Sequence, residues 1–156
     1  MLQIDIPGVG PLQLKHLICD YNGTLAVDGR LIEGVTERFE VIGRQLSLHV
    51  VTGDTFGSAE AELAALDVNL LVLSDTDHAI CKEDYLRTLG VRGVVAIGNG
   101  SNDRHMLQQS ALGIAVIGSE GAASVAMVAA DLVALDILSA LDMLTHPQRI
   151  IASLRC

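Results

Sequence analysis

"ICDYNGTLAVDG", residues 18–29, carries the first decision about this chain. A short apolar stretch, His16 to Cys19, runs into Asp20 and then into an Asn-Gly-Thr turn. Strands that are apolar throughout belong in sheets covered on both faces, and such sheets are parallel. In parallel sheets, ligands bind beyond the carboxyl ends of the strands. Asp20 is therefore placed either as a nucleophile or metal ligand, or as a plain cap on an Asn-Gly turn. Gly23 lets the backbone turn tightly enough for its N–H to face an anion.

The pattern outside this stretch repeats the alternation of strand and helix. Leu2 to Ile6 and Leu12 to Leu14 flank Pro-Gly-Val-Gly-Pro and predict an N-terminal β-hairpin. Strands are predicted at Leu48–Val51, Leu70–Leu73, Val94–Ile97, Ile114–Ile117 and Leu132–Ala134. Helical spacing marks Glu33–Gln45, Gly57–Leu66, Ile80–Leu89, Asp103–Gln109, Ala122–Ala129, Asp136–Leu144 and Gln148–Leu154. The alternation predicts a three-layer α/β/α fold around a central parallel sheet. With 156 residues and no linker or repeat, residues 1–156 read as a single domain.

Composition narrows the function classes. Half the residues are apolar, yet there are only two Phe, two Tyr and no Trp, so the core is aliphatic. A net charge of −9 with ten Lys and Arg excludes a nucleic-acid footprint and disfavours anionic membranes. No apolar run approaches the ~20 residues of a spanning helix. The N-terminus lacks the basic start and unbroken apolar stretch of a signal peptide. Three cysteines without metal-ligand spacing read as reduced thiols, and the chain as cytoplasmic.

Three further strand ends or helix starts carry chemistry. Thr52-Gly53 offers a hydroxyl and an approachable amide to a phosphoryl oxygen; alternatively Thr52, Asp54 or Thr55 caps the next helix. Lys82 is one of only two lysines and suits a carboxylate packed with a phosphate. Its neighbours Glu83 and Asp84 also fit a surface lysine. Gly98-Asn99-Gly100-Ser101-Asn102-Asp103 supplies oxygen ligands for a hard cation such as Mg²⁺, or a capped turn. His49 reads as a packed core histidine, and His105 as an exposed helix residue. Asp75 and Asp77 read as solvated turn residues, and Cys19 faces away from Asp20.

With these four stretches in order, the chain resembles the haloacid dehalogenase (HAD) superfamily of phosphohydrolases over nearly its whole length. Asp20-Tyr21-Asn22-Gly23-Thr24 is similar to the first motif, Thr52 to the second, Lys82 to the third, and Gly98–Asp103 to the fourth. They stand 32, 30 and 21 residues apart, counted from Asp20 to Thr52, Lys82 and Asp103. The fourth motif looks most like that of P-type ATPase phosphorylation domains. The resemblance is best to small soluble P-type ATPase-like members.

The resemblance implies a Rossmann-like HAD fold and an aspartyl phosphate formed on Asp20. It implies Mg²⁺ on the Asp20 carboxylate and the Asn22 carbonyl, with Asn99 and Asp103 ligating directly or through water. Asn22, Gly23, Thr52, Gly53 and Lys82 would hold the phosphoryl group. Two positions depart from the pattern, Asn22 and Asn99, each an Asp in the phosphatases. An amide at position 22 cannot donate or accept the catalytic proton, a loss of about 10² to 10⁴ in rate. An amide at position 99 weakens the metal site by one charge.

No room exists for a cap domain between the motifs. Ala26 to Leu31, with an Asp28-Gly29 turn, is the only flap. An open site implies a bulky phosphorylated substrate or a neighbouring subunit as lid, and the apolar composition fits either a homo-oligomer or simply a large core. Three function classes are left open: a phosphohydrolase slowed by Asn22, a binding or regulatory module that keeps only the pocket, and an interaction subunit whose apolar surface is its function.

Overall fold

The computed structural model describes residues 1–53, 57–74 and 77–156. Its centre is a six-stranded parallel sheet in the order β10-β9-β8-β3-β6-β7. These strands are β3 (His16–Asp20), β6 (Ser47–Thr52), β7 (Asn69–Val72), β8 (Val94–Gly98), β9 (Leu112–Val116) and β10 (Leu132–Ala134). β3 pairs with β6 on one side and β8 on the other. The chain builds outward through β6 and β7, then returns to the far side of β3. That reversal opens a crevice above β3, which ends in Asp20.

Two smaller antiparallel pairs complete the strands. β1 (Leu2–Ile6) and β2 (Gly10–Leu14) form the N-terminal hairpin. β4 (Ala26–Val27) and β5 (Arg30–Leu31) form the flap. Its turn places Asp28 and Gly29 at φ 51° and 77°, the left-handed pair that closes tight hairpins.

The sheet strands send alternate residues to opposite faces, and in β3, β8 and β9 both faces are largely buried and apolar. Leu17, Cys19, Val50, Val95, Ile97 and Ile114 pack beneath α1 (Val35–Ile42), α6 (Ile137–Thr145) and the hairpin. Ile18, Val51, Ala96 and Ala115 pack beneath α3 (His78–Leu89), α4 (Arg104–Gln109) and α5 (Ser124–Ala129). α2 (Ser58–Leu63) and α7 (Gln148–Leu154) join the first side through Ala59, Leu63 and Ile150. The core is aliphatic, with Tyr21 and Phe39 as buried aromatics. Each large aliphatic side chain so enclosed contributes about 1.5–3 kcal/mol.

Most differences from the sequence pattern lie at helix ends. α2 stops at Leu63, because Leu66 turns back to bond the Leu63 carbonyl. α1 ends at Ile42, where the Gly43 amide bonds Phe39. Asp103 belongs to the 3₁₀ turn before α4 rather than to the helix. No helix among the described residues is long and apolar enough to cross a membrane.

Candidate active site

β3, β8 and α3 bring three ionisable groups together. Asp20 ends β3, Lys82 lies one turn into α3, and Asp103 closes the turn after β8. Lys82 Nζ donates to Asp20 Oδ1 and to Asp103 Oδ1, both at 2.6 Å. Lys82 is 1% exposed and Asp103 wholly buried. A surface role for Lys82 is thereby excluded. One ammonium serves two buried carboxylates, so the cluster carries a net negative charge.

Burial and the nearby Asp103 charge push the Asp20 carboxyl up to about 7, against the downward pull of Lys82 and Thr24. Burial opposes the Lys82 ammonium, but the charges and hydrogen bonds of Asp20 and Asp103 outweigh it and raise its pKa. Cys19, on the other side of the strand, is raised by burial and then by the two carboxylates. A thiol held protonated this way is a poor nucleophile.

Asp103 reaches nothing outside the protein. Its second oxygen accepts the amides of Asn99 and Gly100 at 3.0 and 2.8 Å. Gly98 makes this possible, since a Cβ there would stand 2.5 Å from Asp103 Cγ. Asp103 thus anchors Lys82 and the turn.

Asn99 faces the first loop. Thr24 Oγ1 lies 3.2 Å from both Asp20 Oδ2 and Asn99 Oδ1, while Asn99 Nδ2 donates to Gly121 O at 3.0 Å. Gly23, at φ 79°, is required here: a Cβ would meet Asn99 Nδ2 at 2.5 Å. Its amide donates to Ala26 O at 2.9 Å. This corrects the expectation that the Gly23 N–H meets a phosphoryl oxygen, because the flap hairpin already consumes it. Asn22 is exposed at the crevice.

Thr52 ends β6, 1% exposed, one residue beyond Val51, the partner of Asp20 in the sheet. Gly53 follows it, covered by the His78 ring. Asp54, Thr55 and Asp75 lie outside the described residues. Asp77 is the N-cap of α3, its carboxylate accepting the Ala79 and Ile80 amides. His105 sits at the surface, 3.7 Å from Glu83.

The donor chemistry suits a hard divalent cation. Asp20 and the Asn99 amide oxygen face the same Thr24 hydroxyl, with the Asn22 backbone nearby in the same loop. No cluster of three His, Cys, Asp or Glu able to hold a metal occurs among the described residues. One carboxylate with neutral oxygens makes a weak site.

The flap is tied down from three sides. Tyr21 Oη donates to Gly29 O at 3.1 Å, the Asp28 amide donates to Glu120, and the Leu31 amide to Glu62. Sequence reasoning had no signal for Glu120 or Gly121, which arrive from the β9–α5 loop. Thr24 stood inside a motif, and its hydroxyl was the detectable signal.

Two solved structures share this fold. A cobalt-bound deoxy-D-mannose-octulosonate 8-phosphate phosphatase from Haemophilus influenzae superposes with a TM-score of 0.71 at 16% identity, over 90% of this chain and 92% of that one. A 3-deoxy-D-manno-octulosonate 8-phosphate phosphatase from Moraxella catarrhalis, in complex with magnesium, phosphate and KDO, gives 0.68 at 15% identity over 90% of each chain. The chain has the Rossmann-like fold of the HAD phosphatases.

In sequence, an uncharacterized protein of Methanocaldococcus jannaschii, MJ0073, is 47% identical over 62 residues, 40% of this chain and 67% of that one. The chain belongs to the same family as that protein. A probable copper-exporting P-type ATPase of Archaeoglobus fulgidus is 33% identical over 96 residues, 60% of this chain but only 12% of the ATPase. No family model matches the chain.

Proposed function

We propose that this chain is a phosphohydrolase of the capless, soluble P-type ATPase-like kind, a single HAD-like domain over residues 1–156. The carrying observation is the Asp20 carboxylate at the end of the central strand, hydrogen-bonded at 2.6 Å to a buried lysine. A carboxylate so held has its oxygens oriented for attack, and Lys82 can balance charge on the carboxylate and on an incoming phosphate.

Asp20 attacks phosphorus, the ester P–O bond breaks, and an aspartyl phosphate results; water then releases phosphate and restores the carboxylate. Thr52 and the Asn22 and Gly53 backbones bind phosphoryl oxygens. Asp20, Asn99 and the Asn22 carbonyl would hold Mg²⁺, and Asp103 would support them through Lys82 and the Asn99 turn. When bound, the cation neutralises phosphoryl charge. The substrate is a phosphorylated small molecule or a larger phosphorylated partner, reached through an open crevice. The protein acts in the cytoplasm as a homo-oligomer, without nucleic acid or membrane. Exposed Val128, Val133 and Leu135 support an oligomer.

The test is phosphate release from a panel of phosphomonoesters with Mg²⁺, together with binding of beryllium trifluoride as an aspartyl phosphate mimic. Turnover and mimic binding should both vanish in Asp20→Asn. No turnover in wild type or Asn22→Asp would sink the reading. A binding or regulatory module is the second reading, favoured by the amides at Asn22 and Asn99. It predicts mimic binding without turnover.

A further inference from the structure

A hydrolase with an amide at position 22 needs another group to move the proton. Several polar groups at the crevice are otherwise occupied. Asp103 is buried and bonded to Lys82 and two amides. Glu120 holds the flap amide of Asp28. His105, on α4, faces Glu83 of α3.

His78 is placed differently. It stands four residues before Lys82 on α3, hence on the same helical face and about 6 Å nearer the helix start. Lys82 reaches Asp20 from that face. The His78 ring lies on Gly53, the residue after Thr52: a Cβ at Gly53 would be 2.3 Å from its Cε1 and 2.8 Å from its Nδ1. Gly53 thus leaves room for the imidazole at the end of β6, one strand over from Asp20. His78 Nε2 lies 3.1 Å from the Ser74 carbonyl. A carbonyl only accepts, so Nε2 carries the proton, and in the neutral ring Nδ1 is the free base. No hydrogen bond to Nδ1 occurs among the described residues.

We propose that His78 is the general acid–base of this site, taking over the proton transfers that Asn22 cannot perform. The inference rests on the phosphohydrolase reading above. In the first step the bond from phosphorus to the leaving oxygen breaks as the bond to Asp20 forms, and the leaving oxygen takes the Nδ1 proton of the imidazolium. In the second, water attacks phosphorus and returns a proton to Nδ1, and the acyl phosphate P–O bond breaks to give inorganic phosphate and the Asp20 carboxylate. Atoms and protons balance over the cycle.

Leaving-group dependence tests this. p-Nitrophenolate departs without protonation, whereas an alkoxide needs it. His78→Gln keeps an N–H for Ser74 O and removes the base. It should lose about 10²-fold or more in turnover of a simple alkyl phosphate, yet less than about 3-fold in the pre-steady-state burst of p-nitrophenolate, which precedes the water step. Adding Asn22→Asp to His78→Gln should restore the alkyl phosphate rate. An equal loss in leaving-group release from both esters in the first turnover, or no loss on either, overturns the proposal while leaving the hydrolase reading intact, provided Asp20→Asn is dead. No turnover of either ester by wild type overturns both. A chemical shift change at His78 Nδ1 on adding inorganic phosphate to Asp20→Asn supplies a readout independent of turnover; its absence counts against the proposal.

Discussion

At the carboxyl ends of the strands, Lys82 bonds two buried carboxylates; toward the amino ends, His16, His49 and Tyr85 form a chain without an ionised member. His49 Nε2 lies 3.1 Å from His16 Nδ1, and His49 Nδ1 lies 2.8 Å from Tyr85 Oη. The same helix serves both ends, since α3 sends Lys82 to one and Tyr85 to the other. Burial pushes the His49 imidazole down to about 4, helped by His16. Burial pushes Asp20 up to about 7. In each case burial disfavours the charged form, so the two ends respond to pH with opposite sign.

The signs follow from which state holds the proton more tightly. Folded Asp20 binds its proton more tightly than the unfolded carboxyl, near 3.8. That contribution is present below pH 4 and is lost as pH rises to 7, at most about 4 kcal/mol. Folded His49 resists protonation that the unfolded chain accepts near 6.5. Its contribution is present above pH 6.5 and is lost as pH falls toward 4, about 1–3 kcal/mol. In the wild type the two slopes oppose each other over nearly one window.

Breaking the charged end has the largest effect. Lys82→Met should abolish turnover and cost about 3–5 kcal/mol near pH 8, because two buried carboxylates lose their counter-charge. Urea unfolding measures this, and a cost below about 1 kcal/mol would remove Lys82 from that role. Next is Asp20→Asn, which should eliminate turnover and unmask the His49 slope, so that stability rises from pH 4 to 6.5. In the wild type, turnover should rise as Asp20 ionises near pH 7.

The neutral end gives smaller effects. His49→Gln should expose the opposite slope, with stability falling from pH 4 to 7. Melting curves across that range decide it; an unchanged profile refutes the contribution of His49. Tyr85→Phe should cost about 1 kcal/mol by leaving His49 Nδ1 without its partner, with turnover unchanged.

Much of this was legible in advance. The parallel sheet was visible because His16–Asp20, Val94–Gly98 and Leu112–Val116 are apolar on both faces, a pattern that a half-exposed strand cannot carry. Asp20, Thr52, Lys82 and Asp103 stood out only together, because four stretches that are each weak alone stand in the order of the HAD motifs. Helix limits were less legible, because turns such as Leu63–Leu66 close on backbone bonds that side chains do not encode. The histidine chain was illegible for another reason. His16, His49 and Tyr85 lie 33 and 36 residues apart, and each alone looks like an ordinary core or surface residue.

The sequence by itself determined the alternation of apolar strands and helices, and therefore where "ICDYNGTLAVDG" must end its strand. Periodicity and turn chemistry are local, so they survive without coordinates. Only the tertiary structure decided that the Gly23 amide belongs to the flap, that Asp103 is sealed behind Lys82, and that His78 rests on Gly53. Those outcomes depend on which distant segments approach each other, and on which donors the neighbouring backbone has already used.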